Sequence, residues 1–124
     1  MGKLVLLKKF KALSIVASGC ERIVSGLKKL EIRSWQPEQL PLRDLVIVQN
    51  TQFLYQNGDE QAGEAIAMID IIAVHPWSEN EFGVACANHW EAGYWAWEIT
   101  NVRPIVPRLK TVAKRKIYQI ELEL

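Results

Sequence analysis

Basic residues are missing from the middle of this sequence, and long apolar runs are missing from all of it. Between residues 44 and 102 there are nine acidic residues and no lysine or arginine. No apolar run approaches the roughly 20 residues that a membrane-spanning helix needs. The N-terminal residues contain only four consecutive apolar side chains, fewer than a secretory signal requires. We therefore expect a soluble, cytoplasmic protein without membrane association.

Cysteine and histidine are also scarce, which argues against a disulfide framework and against a metal centre. We interpret the two cysteines, Cys20 and Cys86, as reduced, small apolar residues. The two histidines, His75 and His89, have no visible partner and no metal-ligand spacing, so we expect both to be structural. The common phosphate-binding, dinucleotide-binding, zinc-protease and serine-hydrolase motifs are absent. We expect no metal ion and no cofactor.

The basic residues that the middle lacks are concentrated on either side of it. Six of them lie between residues 103 and 116, where there is no acid. This segregation favours a polyanionic partner such as nucleic acid. Two alternatives remain open: the acidic segment 44–102 is a surface for a protein partner, or the two kinds of segment neutralise each other in the fold.

The apolar pattern predicts short strands with one helix near the start, in the order β-α-β-β-β-(α)-β-β. Apolar residues make up 49% of the 124 residues, enough for the core of one domain. Ser18 and Glu21 are spaced as a helix capping box, and Gly26 suits the position after a helix end. We predict helices near 18–25 and, weakly, 79–88, and strands near 11–15, 28–35, 45–48, 64–74, 94–102 and 117–124. This indicates an α+β fold: a small, mostly antiparallel β-barrel with one or two short helices packed on it.

Two segments carry an unusual density of polar and aromatic residues. The first is Gly26-x-Lys28-x-x-Glu31-x-Arg33-Ser34-Trp35, and the second is Gly93-Tyr94-Trp95-Ala96-Trp97 followed by Asn101-Val102-Arg103-Pro104-Ile105. Together with the flanking Leu13-Ser14-Ile15 and Ile117-Tyr118-Gln119-Ile120, they resemble the ASCH family. The resemblance implies a single PUA-like domain over residues 11–124, preceded by an extension of residues 1–10.

The chain departs from the family pattern at three places. Ser18-Gly19 stands where many members have Pro-Trp, and Gln49-Asn50 stands where His-Ala is common. The basic run Lys114-Arg115-Lys116 replaces a glycine before the last strand. The resemblance implies binding of RNA or DNA, amide hydrolysis of an acylated nucleoside, RNA cleavage or transcriptional coactivation, with a cleft beside the first helix as the shared feature.

Lys28 is the strongest candidate for a functional residue in that cleft. A desolvated lysine can act as a base or nucleophile, whereas a charged one would bind phosphate. Glu31 and Arg33 share a strand face, so Glu31 is either a general acid/base or an ion-pair partner. By strict alternation Lys28 points away from these two residues. The three can line one cleft only if the chain turns or bulges near residues 28–29.

The remaining candidates are contacts to a ligand or to nucleic acid. Trp35 is the best stacking residue and Tyr94 the second, while Trp95 and Trp97 are expected to be buried together. Further binding residues are Lys29, Ser34, Arg103, Arg108 and Lys110. We expect a module that binds RNA or a nucleotide-like small molecule. The alternatives are a protein-interaction domain and a metal-independent hydrolase, acting on a modified nucleoside or RNA, that uses Lys28 and Glu31.

Overall fold

One six-stranded sheet and one α-helix form a mixed α+β fold in the computed structural model, which describes residues 6–124. The elements follow the predicted order. They are β1 (Lys8–Val16), α1 (Ala17–Val24), β2 (Leu30–Arg33), β3 (Leu42–Asn50), β4 (Gln61–Pro76), a single turn of 3-10 helix (Glu79–Glu81), β5 (Trp95–Ala113) and β6 (Ile117–Leu122). No helix in this part of the chain is long and apolar enough to cross a membrane.

The sheet is mostly antiparallel, as predicted, but it is open. Its strand order is β2-β5-β4-β3-β1-β6, and of its five pairings only β1 with β3 is parallel. The outermost strands, β2 and β6, do not pair with each other within residues 6–124. The predicted closure into a barrel is therefore not made by hydrogen bonds between these strands.

The central strand β3 explains why the core occupies both faces of the sheet. Residues 45–48, predicted to be a short strand, are fully buried, but they form the middle of a longer strand that runs from Leu42 to Asn50. Leu45 and Ile47 pack with α1 and Trp97 on one face, whereas Val46 and Val48 pack with Ile105 and β6 on the other. Both faces of the sheet are thus covered at its centre.

Helix α1 lies where the sequence predicted it, but its N-terminal cap was predicted wrongly. The N-cap residue is Val16, and no side chain caps the helix, because Ser18 already lies inside the first turn. The helix ends as predicted: Gly26 has a φ of +83°, a left-handed conformation that glycine adopts without steric strain. The chain then turns sharply towards β2.

Two further predictions need correction. The helix expected near 79–88 is reduced to the single 3-10 turn Glu79–Glu81, and irregular turns follow up to Cys86, which has a φ of 54°. The strand expected to end near 102 runs on to Ala113 despite Pro104 and Pro107. Beyond residue 98 strand β5 pairs only with β4, so one edge is free to accommodate proline.

The expected extension of residues 1–10 is divided by the start of β1. Residues 1–5 lie outside the described residues. Lys8, Lys9 and Phe10 belong to β1 and pair with β6, so this strand begins three residues before the expected boundary at residue 11.

Candidate functional site

A cleft of about 440 Å³ opens where α1 and β2 face the loop after β3 and the turn before β6. Six basic residues and one acidic residue line it. The acid is Glu31, and the bases are Arg22, Lys28, Arg33, Lys114, Arg115 and Lys116. The cleft is therefore strongly positive, although the whole chain carries a formal net charge of only +1.

Glu31 is buried at the base of the cleft between two cations. Its Oε1 lies 3.1 Å from Lys28 Nζ, and its Oε2 accepts hydrogen bonds from Arg33 Nη2 at 2.8 Å and Arg33 Nε at 3.2 Å. Burial alone would raise the pKa of Glu31, but the charges and hydrogen bonds of Arg33 and Lys28 outweigh it and lower that pKa. Glu31 is thus an ionised carboxylate that orients both cations.

Lys28 reaches this cluster because it precedes the strand. Strand β2 begins at Leu30, so Lys28 is not bound by the alternation of side chains within it. Its backbone N–H donates to Arg22 O at the end of α1, and its Nζ donates to Ala85 O at 3.0 Å. The turn lies at Ser25 and Gly26 and not at residues 28–29, and Lys28, Glu31 and Arg33 line one cleft without a bulge in β2.

Ser14 on β1 joins Arg33 to the turn that precedes β6. Its carbonyl accepts from Arg33 Nη2 at 2.9 Å, and its Oγ accepts from the backbone N–H of Lys114 at 3.2 Å. The same Oγ shares a 2.7 Å hydrogen bond with the hydroxyl of Tyr118, whose pKa is raised by burial. Residues 114–116, here called the basic turn, are thereby fixed at the edge of the cleft.

Trp35 provides an aromatic wall of the cleft. Its ring meets that of Trp97 edge to face at a centroid distance of 4.9 Å, and Trp97 Nε1 donates to Trp35 O at 3.2 Å. Trp97 is fully buried and Trp95 is partly buried against the same core, so their joint burial is confirmed. Lys116 Nζ lies 5.6 Å from the centroid of the Trp35 ring, within cation–π range.

His75 has partners that the sequence did not reveal. Its Nε2 lies 2.8 Å from Glu81 Oε2, and its Nδ1 lies 3.1 Å from Glu98 Oε2. Burial favours neutral imidazole, but these two carboxylates outweigh it and raise the pKa of His75. Glu81 also completes a capping box with Ser78. This cluster does not line the cleft, and neither does Glu79.

Both cysteines are free, as expected. Cys20 is buried in α1, and its Sγ donates to Ile15 O at 3.0 Å. Burial raises the pKa of this thiol to about 12, so it remains protonated. Cys86 is partly buried and lines the cleft.

The profile of the ASCH domain matches residues 13–108, more than three quarters of the chain. The chain belongs to the ASCH domain family. ASCH domains are PUA-like domains that generally bind RNA. A comparison with the curated proteins finds none that matches this chain.

The three departures from the family pattern all occur at the cleft of this ASCH domain. Ser18 and Gly19 line it at the start of α1, Asn50 at the end of β3, and the basic turn at its rim. Asn50 is buried, and its Nδ2 donates to Gln52 O and to Gln61 Oε1. All three departures therefore change residues that line the cleft.

The candidate residues from the first motif separate into two groups. Lys28, Glu31, Arg33 and Trp35 line the cleft. Lys29 and Ser34 are exposed and do not line it. The first group contains the ion pairs and an aromatic ring, so the motif supplies the one acid of the cleft lining and two of its six basic residues.

The candidates from the second half of the chain all lie away from the cleft. Arg103 binds Asp70 and Asp44, and Arg108 pairs with Glu21 on the surface. Lys110 is exposed on β5, and Tyr94 packs in a separate apolar cluster beside Trp77. The structure brings none of these four side chains to the cleft.

Several lining residues were not among the predicted binding residues. They include Ser14, Arg22, Asn50, Phe53 and the three residues of the basic turn. The unbroken run of three bases just before the last strand was the one signal in the sequence that pointed to the turn. Phe53 and Asn50 gave no such signal, because a single aromatic or amide residue in a sequence is compatible with many roles.

Proposed function

We propose that this ASCH domain binds RNA and holds a nucleotide of it in the cleft beside α1. The observation that carries the proposal is the charge of the cleft, whose six basic residues face one acid that is already paired. Phosphate groups supply the matching negative charge, and contacts between phosphate and lysine or arginine dominate the affinity of nucleic-acid complexes.

The cations in the cleft fall into two kinds. Lys28 and Arg33 are fixed by Glu31, so they cost little conformational entropy when they meet a phosphate. Arg33 Nη1 has no hydrogen-bond partner among residues 6–124 and is available as a donor. Arg22 and the basic turn lie at the rim and contribute attraction over a longer range. Trp35 offers a ring on which a base can stack.

A charge substitution in the basic turn tests this proposal. In Lys116→Ala we expect weaker RNA binding and a smaller slope of log affinity against log salt, by about one unit for each phosphate that the variant no longer neutralises. The measurement is a titration of the full chain with short RNA between about 50 and 200 mM salt. Lys110→Ala removes the same charge outside the cleft, and we expect it to retain the wild-type slope.

Two results would count against the proposal. The first is an affinity of the wild type that does not change with salt. The second is an equal reduction of affinity in the Lys116 and Lys110 variants, since a general field of positive charge would then explain binding without the cleft.

Hydrolysis of a modified nucleoside or of RNA is a second candidate, favoured by the contact of Lys28 with Glu31 inside the cleft. With its lowered pKa, Glu31 would act as a base or as an orienting group and not as a proton donor. The titrated RNA, recovered and examined for cleavage, and a panel of acylated nucleosides test this candidate. Substrates left intact by the wild type would remove it.

A further inference from the structure

We propose that the RNA bound by this domain is a single strand that leaves the cleft over the loop between β3 and β4, where its bases stack on Phe53 and Tyr55. This loop, residues 51–60, is called the aromatic loop below. The inference rests on the proposed function and makes it more specific. It names the structural class of the RNA and the surface over which the strand leaves the cleft.

Phe53 and Tyr55 are exposed to a degree that packing does not explain. Their exposed fractions are 70% and 77%, and their ring centroids lie 6.4 Å apart. Phe53 lines the cleft, whereas Tyr55 lies beyond its edge. Two neighbouring aromatic rings that lead outward from a positive cleft form a surface on which successive unpaired bases can stack.

The aromatic loop is held in shape by its own polar groups. The carboxylate of Asp59 accepts hydrogen bonds from the backbone N–H groups of Tyr55 and Gln56, at 3.1 and 2.9 Å. Gln61 Oε1 accepts from the N–H groups of Thr51 and Gln52, both at 3.1 Å. The backbone on either side of Phe53 is therefore fixed before a ligand arrives, which reduces the entropy lost on binding.

The basic turn joins the aromatic loop to the other wall of the cleft. Arg115 Nη1 donates to Asn57 Oδ1 at 2.9 Å, and Lys114 Nζ pairs with Glu60 at 3.4 Å, so two of its residues contact the loop. The third, Lys116, lies over the Trp35 ring. The basic turn thus contacts the loop that carries Phe53 and Tyr55 on one side and the Trp35 ring on the other, so that phosphates and bases of one strand could meet cations and rings in turn.

This arrangement favours a single strand over a duplex. In a duplex the bases are stacked on one another inside the helix, so exposed aromatic side chains have no base face to meet. Unpaired bases can be splayed outward and stacked on aromatic rings while the backbone follows positive charge. The three cations of the turn make an RNA strand a better match for the two rings than an apolar protein surface.

A length series of RNA tests the inference. The full chain is titrated by calorimetry with a nucleoside 5′-monophosphate, with mixed-sequence single strands of two, four and eight nucleotides, and with a duplex of the longest sequence. The variants are Phe53→Ala, Tyr55→Ala and Tyr55→Phe, which keeps the ring. Phe82→Ala is the matched control, since Phe82 is exposed in another loop and does not line the cleft.

We expect the affinity of the wild type to rise with strand length and to exceed its affinity for the duplex. Removal of one stacked ring should weaken binding of the longest strand by about 5- to 100-fold. In Tyr55→Ala the ratio of affinities for the longest strand and the monophosphate should fall accordingly. Tyr55→Phe, which keeps the ring, should bind the longest strand more tightly than Tyr55→Ala does, and Phe82→Ala should bind it as the wild type does.

Three results would overturn the inference. They are a monophosphate that binds as tightly as the longest strand, alanine variants that bind this strand unchanged, and a duplex that binds more tightly than the strand. If the monophosphate still binds in a salt-dependent way, these results leave the proposed function standing. If neither the monophosphate nor any RNA binds the wild type, the proposed function fails as well.

Discussion

Asp70 is a buried carboxylate that holds three strands together away from the cleft. It lies on β4 and accepts hydrogen bonds from the backbone N–H of Asp44 on β3 and from Asn101 Nδ2 on β5, both at 3.0 Å. Asp44 and Asn101 both have a φ of 52°, a conformation that β-strands do not normally contain. Arg103 completes the cluster. Asp70 therefore stabilises two irregular points in the strands that flank it.

The stability of the fold should depend on pH through Asp70. The hydrogen bonds from Asn101 and Asp44, together with the charge of Arg103, outweigh burial and lower the pKa of Asp70 from 3.8 to about 2. Because the folded state binds this proton less readily than the unfolded state, the stabilisation is complete above pH 3.8 and is lost as the pH falls through about 2.

The variant Asp70→Asn tests this dependence. We expect it to be destabilised by about 1–3 kcal/mol at neutral pH, because it leaves buried donors without a charged acceptor. Its deficit relative to the wild type should shrink as urea unfolding is repeated at pH 4, 3 and 2. Glu121→Gln removes an exposed carboxylate and should stay within about 0.5 kcal/mol of the wild type. A deficit that is constant with pH would contradict the role of the carboxylate charge.

At the scale of single residues, the sequence predicted the positions of the side chains in the first motif better than those in the basic segment 103–116. Lys28, Glu31 and Arg33 lie within a few residues of one another, so local geometry alone brings them close. Arg103 was expected to bind a ligand but instead neutralises Asp70. That pairing could not be foreseen, because Asp70 interrupts an apolar run and nothing in the sequence identifies its partner.

At the scale of elements, the approach of β4 to β3 leaves no room for a side chain at Gly63. A Cβ there would lie 2.7 Å from the backbone oxygen of Gln49 and 2.9 Å from Val48 Cγ1. The pairing of these strands shifts register between Ile47 and Val48, close to this contact. The tight approach positions the end of β3, from which Asn50 reaches the cleft.

We expect Gly63→Ala to destabilise the fold by about 1–3 kcal/mol, because the backbone of β3 would have to move away from β4. Chemical denaturation with urea measures this change. Gly83→Ala is the matched control, since a Cβ at that position meets no atom within 4 Å. Equal stability of the two variants would contradict this prediction, because β3 and β4 would then accommodate the added methyl group without a loss of stability.

The order of elements could be predicted almost completely from the sequence, whereas their ends could not. Apolar periodicity and Gly26 indicated the strands, α1 and the point where α1 ends. The misplaced cap arose because Ser18 fits a capping box in sequence, although α1 begins one residue before it. Strand β5 continues through two prolines because one of its edges is unpaired there. The apolar periodicity of a sequence does not show which strands pair, so this extension could not be predicted.

At the scale of the whole molecule, the fold partly neutralises the opposite charges that the sequence separates. Arg103 pairs with Asp44 and Asp70, and Lys114 pairs with Glu60, so two bases of segment 103–116 form ion pairs with acids of segment 44–102. Neutralisation was one of the two alternatives to a polyanionic partner. Because of this neutralisation, the positive region is smaller than the sequence suggested and is concentrated at the cleft.

The pairing of the first described strand with the last one predicts the effect of truncation. Strand β6 pairs with β1 over six residue pairs, and Tyr118 and Ser14 are joined across 104 positions of the sequence. A chain that ends after Lys116 keeps the basic turn but loses β6. We expect it to be unfolded by circular dichroism and unable to bind RNA. A truncated chain that folds and binds RNA would show that β6 is dispensable.

The same pairing has a consequence for the order of events during protein synthesis. The ribosome makes β1 before the other described strands and its partner β6 after all of them. Until β6 emerges, β1 has one unpaired edge, and Ser14 cannot fix the basic turn that follows β5. The nascent chain would therefore complete the cleft late, in the same step that covers an edge prone to aggregation.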